Sequence, residues 1–204
     1  MVTIIDYGLG NLASIKNMLK KIGTESVITS SVEQISIADK LILPGVGHFA
    51  KGMENLQKSG LVPVMNDLVL VKKIPILGIC LGMQLMTSFS EEGNVEGLGW
   101  INANTIKFKL SNSHYKIPHM GWANVNFNFK DPLAISLQNL ARFYFVHSYH
   151  VKCSNDLNIL ATSNYEDTFH SAFVKDNIRG VQFHPEKSHK FGMQLLKNFS
   201  NLNQ

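Results

Sequence analysis

The chain has 204 residues, 45% of them hydrophobic and 17% charged, so it is long enough to bury one substantial core. Its formal charge of +4 comes from scattered basic residues, without the lysine and arginine stripe of a nucleic-acid surface. No apolar segment approaches the length of a membrane span, and the N-terminus lacks the pattern of a signal peptide. We therefore expect a cytoplasmic globular protein that binds neither nucleic acid nor membrane.

The first hundred residues alternate between apolar runs and helical patterns. The β-branched run "VTIID" precedes apolar residues at helical spacing, which Gly23 ends. The same alternation follows with "SVIT", with "KLIL" before a helix that holds Phe49, and with "IPILGI" before a helix that begins near Leu81. Strands that alternate with helices predict an α/β fold built on a parallel sheet.

The second half of the chain has a different texture from about Gly97 onward. Strand-like runs follow one another with few helices between them: "INANTIKF", "WANVNF", "RFYFVHSY", "NILATSNY", "SAFV" and "IRGVQF". A last helix is predicted after Ser188 as N-cap. We predict one domain over residues 1–204, an open, mostly parallel twisted sheet flanked by helices, with antiparallel additions in the second half.

A glycine-flanked cysteine occupies the stretch "PILGICLGMQLM". Gly78 and Gly82 bracket Cys80 where an apolar strand meets the first turn of a helix, a form typical of nucleophiles on sharp strand-to-helix turns. Unpaired amides at the helix start favour a thiolate, and the Leu81 amide is placed to bind an oxyanion. The alternative is an inert buried cysteine beside packing glycines, and this motif alone leaves both interpretations open.

Acyl transfer by a thiolate also requires a proton carrier, and "GVQFHPEKS" offers one. His184 follows a β-like run, and Pro185 disfavours the α region for it. Residues two apart in an extended segment share a face, so Glu186 is expected beside the imidazole. The alternative is a polar surface turn before the last helix.

A second oxyanion donor is expected from "LPGVGHF". Gly45 and Gly47 follow the strand "KLIL" and leave the backbone free to turn an amide toward a reacting carbonyl. The alternative is an ordinary strand-to-helix turn.

Together, "PGVGHF", "GICLGMQLM" and "GVQFHPEKS" resemble, in order and spacing, the signature of class I glutamine amidotransferases. The resemblance implies that Cys80 attacks the glutamine side-chain amide, His184 shuttles the proton and Glu186 orients His184. It further implies oxyanion amides from Leu81 with Val46 or Gly47, glutamine contacts from Gln84, Ser148 and Tyr149, and an ammonia exit near Lys187 and Tyr144. It implies no metal or cofactor.

The stretches "IDYGLGNLAS" and "PHMGW" resemble more narrowly the family members that serve histidine biosynthesis. That resemblance implies a heterodimer with a separate cyclase, a (β/α)₈ barrel that receives the ammonia. Ala123 departs from the pattern, which usually has Asn after the tryptophan. Two alternatives stay open, namely a paralogous glutaminase that feeds another synthase, such as one that modifies a nucleotide-linked sugar, and a non-catalytic subunit of the same fold.

Two further patterns are weaker. "GLGNLA" satisfies the dinucleotide fingerprint G-x-G-x-x-A, but no acidic residue ends the second strand, and Glu33 is expected in a later loop. His147 and His150 in "HSYHV" are candidate metal ligands without a third ligand at a recognised spacing. We expect packing or substrate contacts for these histidines.

Overall fold

The computed structural model describes residues 1–128, 130–137 and 141–202. Its first half alternates strands and helices as the sequence predicts: β1 (Val2–Ile5), α1 (Leu12–Lys21), β2 (Ser26–Thr29), α2 (Val32–Ser36), β3 (Lys40–Leu43), α3 (Phe49–Ser59), α4 (Val62–Asn66), β4 (Ile76–Ile79) and α5 (Leu81–Leu85). A π-helical turn over Asp67–Val71 extends α4. Glu33 lies in the first turn of α2, so the expectation of a loop there was wrong.

The second half consists mainly of strands. They are β5 (Phe89–Ser90), β6 (Val95–Glu96), β7 (Ala103–Lys107), β8 (His119–Asn124), β9 (Asn126–Phe127), β10 (Arg142–His147), β11 (Tyr149–Cys153), β12 (Ile159–Tyr165), β13 (Asp167–Lys175) and β14 (Ile178–Val181), followed by α6 (His189–Ser200). Ser188 precedes α6 as predicted, but its hydroxyl donates to the His184 carbonyl at 2.6 Å and does not cap the helix.

The main sheet runs in the order β2-β1-β3-β4-β14-β13-β11-β7-β5-β6, with β12 and β9 attached beyond β13. The five strands from β2 to β14 pair in parallel, and β13, β11 and β7 continue the sheet in antiparallel pairing. The α/β prediction with antiparallel additions is therefore confirmed. Strand β14 is an exception to the antiparallel assignment, because it pairs in parallel with β4 on one side.

Strands β8 and β10 form a separate antiparallel pair, called here the ribbon. The sequence runs "WANVNF" and "RFYFVHSY" were expected as additions to the main sheet. That prediction was wrong for residues 122–124 and 142–147, which lie in the ribbon, but Asn126 and Phe127 of β9 and Tyr149 of β11 do join the main sheet. Periodicity along one strand identifies a strand but carries no information about which sheet it joins. A β-bridge between Tyr144 and His184 links the ribbon to the segment that follows β14.

The parallel strands bury side chains on both faces. In β4, Leu77 and Ile79 pack on the face covered by α1 and α6, whereas Ile76 packs on the face covered by α3 and α4. This two-sided burial explains why these strands are continuous apolar runs. Among the described residues, no helix is both long and apolar enough to cross a membrane.

Candidate active site

Cys80 lies at the junction between β4 and α5, called here the elbow. Its backbone has φ 53° and ψ −110°, a conformation that L-residues rarely adopt. The strain is held by neighbouring strands, because the Cys80 N–H donates to the Val181 carbonyl of β14 at 2.8 Å. A strained turn that lifts a side chain above the sheet edge is the geometry of a nucleophile elbow.

The two flanking glycines are required by close backbone approach. A Cβ on Gly82 would overlap the Leu43 carbonyl at the end of β3, and a Cβ on Gly78 would meet the Met83 backbone of α5 at 2.7 Å. Any larger residue would push the helix away from the strands. The G-x-C-x-G spacing therefore reflects tight packing around the elbow.

His184 reaches the elbow because β14 lies beside β4 in parallel, so both chains leave the sheet at the same edge. Its Nδ1 lies 2.8 Å from the Glu186 Oε1, and both side chains are almost fully buried. Glu186 reaches the imidazole through a tight 3₁₀ turn over Pro185–Lys187, not through the extended segment that we expected. The predicted pair forms, although by a different backbone path.

The second imidazole nitrogen is turned toward Cys80. Within the described part of the chain, His184 Nε2 has no hydrogen-bond partner of good geometry. Burial alone would lower the pKa of His184, but its interactions with Cys80 and Glu186 outweigh burial and raise the pKa to about 10. A protonated imidazole beside sulfur favours a thiolate and can supply a proton to a leaving amine.

The predicted oxyanion donors are not assembled in this structure. The Leu81 N–H donates to the Gly45 carbonyl at 3.3 Å, so this carbonyl occupies the direction that an oxyanion would need. Gly47 has φ 110°, a backbone conformation that glycine adopts without the steric strain that a side chain would add. Rotation of the Gly45–Val46 peptide would release the Leu81 amide and bring the Val46 amide inward.

The start of the segment 44–47, which carries the candidate oxyanion donors, is held in place by Tyr7. The Tyr7 hydroxyl donates to the Pro44 carbonyl at 2.7 Å, and a Cβ on Gly45 would collide with that hydroxyl. Burial, with a smaller effect of charge on Cys80, raises the pKa of the Tyr7 phenol above its ordinary range, so the phenol remains a donor. The anchor confines movement to the peptides that follow Pro44.

A cavity of about 260 Å³ lies against the elbow, and Cys80 is one of the residues that line it. Most of the residues selected from the sequence line it: Val46, Gly47, Cys80, Leu81, Gln84, Ser148, Tyr149 and His184. Gln84 is less available than expected, because its amide nitrogen donates to the Tyr149 carbonyl and to Gln182, each at 3.0 Å. The free acceptor Oε1 is the part of Gln84 that remains for a ligand.

Glu92 lines the same cavity and was missed by the sequence analysis. Its Oε2 accepts from the Phe49 N–H at 2.8 Å, at the start of α3. Among the described lining residues it is the one carboxylate, so it is suited to an α-ammonium group. The pair "EE" at 91–92 has the composition of a solvated surface, and no spacing rule distinguishes the second glutamate.

Lys187 and Tyr144 lie beside the cavity and do not line it. The Lys187 ammonium lies 5.3 Å from the centroid of the Tyr144 ring, and the Tyr144 carbonyl accepts from the His184 N–H at 2.9 Å. The two residues therefore sit behind the imidazole, on the side of the ribbon.

The histidines considered as metal ligands have other partners. His147 Nδ1 lies 2.8 Å from the Tyr149 carbonyl, and its Nε2 lies 3.1 Å from His119 Nδ1. Because a carbonyl only accepts, His147 carries its proton on Nδ1 and accepts from His119. In the described ranges, no group of three or more His, Cys, Asp or Glu side chains could hold a metal ion.

Comparison with known proteins agrees with this arrangement. The family model described as "Glutamine amidotransferase class-I" matches residues 3–202. The chain therefore belongs to the class I glutamine amidotransferase family. A solved structure titled "Structure of PurLQS from Thermotoga maritima" superposes with a TM-score of 0.76 at 16% identity, covering 98% of this chain and 97% of that chain, which supports the fold.

Closer relatives cover the whole length. A protein of Methanococcus maripaludis named "Imidazole glycerol phosphate synthase subunit HisH 2" is 60% identical over 199 residues, which is 98% of each chain. A Pseudomonas aeruginosa protein of the same name is 48% identical over 202 residues, covering 99% of this chain and 100% of that relative.

Proposed function

We propose that this chain is the glutaminase subunit of an imidazole glycerol phosphate synthase and acts in histidine biosynthesis. It hydrolyses glutamine to glutamate and ammonia, and it passes the ammonia to a separate cyclase subunit. The observation that carries the proposal is the Cys80–His184–Glu186 arrangement at one edge of a parallel sheet, in a chain with full-length relatives of that name. We infer that residues 1–204 act as one domain, because β4 and β14 are adjacent although a hundred residues separate them.

In the first half of the reaction, the Cys80 sulfur attacks the side-chain carbonyl carbon of glutamine. The carbonyl oxygen becomes an oxyanion, which the Leu81 and Val46 amides stabilise once the Gly45–Val46 peptide has turned. His184 donates its Nε2 proton to the leaving nitrogen, so ammonia departs and a γ-glutamyl thioester remains on Cys80.

In the second half, water attacks the thioester. His184 is then neutral and accepts a proton from the water, so glutamate leaves and Cys80 is restored. Glu186 keeps the imidazole oriented throughout, because its carboxylate accepts from Nδ1. We propose that Glu92, Ser148 and the Gln84 acceptor, which line the cavity, hold the amino-acid end of the substrate.

The ribbon supports a partner on this side of the molecule. Met120 and Trp122 of β8 are large apolar side chains that remain exposed, and Trp122 stacks on His189 with a centroid separation of 5.4 Å. Tyr144 of β10 lies opposite Trp122 in register and bonds the His184 backbone. We propose that the cyclase, a (β/α)₈ barrel, docks on this face to form a heterodimer, with Lys187 and Tyr144 at the ammonia exit.

A second acceptor enzyme is the alternative. Both relatives described above carry the number 2 in their names, as a second copy of such a subunit would. A second copy can serve a different synthase while it keeps the same glutaminase chemistry. Ala123, which stands where the family usually has Asn, lies on the ribbon and is half-buried against the core.

The test is to measure glutamate release by the purified chain alone, with the cyclase subunit, and with the cyclase plus its phosphoribulosyl formimino precursor. We expect little activity alone, because the Gly45 carbonyl occupies the oxyanion position. Activity should rise with the partner and rise further with the precursor. Stimulation by an unrelated synthase only would assign the chain to the alternative role.

A further inference from the structure

The Cys80 sulfur has a buried neighbour outside the substrate cavity. The side-chain Nε2 of Gln182 lies 3.7 Å from Sγ, within hydrogen-bonding range for sulfur. Gln182 directly follows β14, is fully buried, and is not among the residues that line the cavity. Its amide therefore approaches the sulfur from the protein interior and leaves the cavity side of the sulfur free.

The orientation of this amide follows from a chain of hydrogen bonds. The Tyr149 carbonyl can only accept, so the Gln84 group that lies 3.0 Å from it must be the NH₂. The same NH₂ lies 3.0 Å from one end of the Gln182 amide, which must then be the oxygen. The other end, which faces Sγ, is therefore the NH₂ of Gln182.

We propose that Gln182 is a hydrogen-bond donor to the Cys80 thiolate, held in place by Gln84 and the Tyr149 carbonyl. A donor stabilises an anionic acceptor more than a neutral one, so this contact favours the thiolate over the thiol. These hydrogen bonds, from the sulfur through Gln182 and Gln84 to the Tyr149 carbonyl, also connect the elbow to β11, the strand that carries Tyr149. The inference deepens the proposed function, since it rests on Cys80 being the nucleophile.

Other groups act on the same sulfur. His184 faces it from the end of β14, the Tyr7 phenol interacts with it from the turn after β1, and Glu92 shares its cavity. The Val146 carbonyl lies 4.0 Å from Sγ and accepts from the thiol, which favours the protonated form. Gln182 is neutral and its amide donates to the sulfur, so its removal changes the hydrogen bonding of the sulfur without changing the formal charge of the site.

The experiment measures alkylation of each cysteine by iodoacetamide from pH 5.5 to 9.5, with peptide mass spectrometry to separate Cys80 from Cys153. Gln182→Met keeps the size of the side chain and removes the donor. We expect Cys80 alkylation at pH 7 to be about tenfold slower than in the wild type, as loss of one hydrogen bond to a charged group implies. The profile should move to higher pH, while Cys153 is unchanged.

Gln182→Leu is the second variant, because it removes the donor with a different side-chain shape and leaves the formal charge of the site unchanged. It should also slow Cys80 at pH 7. Ser163→Ala is the matched control, since it removes another buried polar group that contacts Ser171 and not the sulfur. Wild-type Cys80 rates in both Gln182 variants, with circular dichroism unchanged, would overturn the proposal.

The result is independent of glutamine turnover. Slower Cys80 alkylation in the Gln182 variants supports the donor even if the wild-type complex releases no glutamate, in which case the proposed function fails alone. Equal slowing in Ser163→Ala would attribute the effect to general loss of packing and overturn the specific role of Gln182.

Discussion

At the scale of single residues, the two cysteines occupy opposite environments. Both cysteines are buried, but Cys80 faces a protonated imidazole and a cavity, whereas burial, with a smaller effect of Asp156, raises the pKa of Cys153 to about 12. Cys80→Ala should reduce glutamine-dependent synthesis to background while ammonia-dependent synthesis by the complete complex continues. Cys153→Ala is the matched control and should retain both activities. Glutamine hydrolysis by Cys80→Ala would show that the nucleophile is misassigned.

Replacement of His184 should reduce the glutaminase kcat more than replacement of Glu186. In the proposed mechanism His184 moves the proton, whereas Glu186 orients His184 through one hydrogen bond of 2.8 Å. We expect Glu186→Gln to retain about a hundredfold more glutaminase kcat than His184→Ala, the order found when an orienting acid is compared with a proton carrier. The measurement is steady-state glutamate release with the partner present. A larger loss in Glu186→Gln would make Glu186 the proton carrier.

Residue types alone indicated Cys80 and His184 as the candidate nucleophile and proton carrier, but not the residues that contact them. Cys80 and His184 stand out because glycines flank the cysteine and allow a sharp turn, and because Pro185 restricts the backbone of the histidine. Gln182 and Glu92 are ordinary polar residues in their local sequence, and they become significant only because β14 lies beside β4 and because the segment after β5 returns to α3. Long-range contacts of this kind have no local signature in one sequence.

At the scale of elements, three strands bring together two buried histidines and one half-buried histidine. His119 of β8, His147 of β10 and His150 of β11 surround Phe108, and His119 stacks on Tyr165 with ring centroids 4.0 Å apart. Burial lowers the pKa of His119 and of His150 to about 4. The sequence pair "HSYH" suggested metal binding or packing, and the ring contacts explain the packing.

These histidines predict acid sensitivity. Between their ordinary pKa of 6.5 and the folded value of about 4, the unfolded chain binds protons that the folded chain does not, so stability falls as pH falls through this window. His150→Phe should reduce the slope of unfolding free energy against pH by at most about 1.4 kcal/mol per pH unit, the value for one proton. Urea denaturation from pH 4 to 7 measures this slope. An unchanged slope would contradict the assignment.

His184 affects the stability of the protein at higher pH, where its effect has the opposite sign. Its folded pKa of about 10 lies above the ordinary 6.5, so its contribution to stability is complete below pH 6.5 and is lost as pH rises through about 10. His184→Gln should therefore flatten the loss of stability between pH 7 and 10, measured by the same denaturation. A wild-type slope in this variant would show that His184 is not protonated in the folded protein.

At the scale of the whole molecule, the alternation of apolar runs was sufficient to predict the parallel half of the sheet, because those strands are buried on both faces. It was insufficient for the ribbon, whose strands resemble sheet strands but form a separate antiparallel pair. The occupied oxyanion position was likewise beyond motif analysis, since the same "PGVG" backbone can present either a carbonyl or an amide.

The exposed face of the ribbon predicts how the molecule assembles. Trp122 is 40% exposed, packs on His189, and belongs to the residue type most enriched among interface hot spots. Trp122→Ala should weaken association with the cyclase about 30-fold, equivalent to about 2 kcal/mol, measured by titration calorimetry. Cys80 alkylation in the isolated variant should match the wild type, because Trp122 does not line the cavity.

Ile37→Ala is the matched control for this face. Ile37 is more exposed than Trp122, at 78%, but it precedes β3 and therefore lies at the sheet edge opposite the elbow. The proposed function requires the partner to dock near Cys80, where ammonia is released, so loss of Ile37 should leave the Kd and the stimulation of glutaminase activity unchanged. Equal weakening by the two variants would mean that exposed apolar area, and not the ribbon, determines binding. Weakening by Ile37→Ala alone would move the docking face to the far edge of the sheet, where ammonia from Cys80 could not reach it directly.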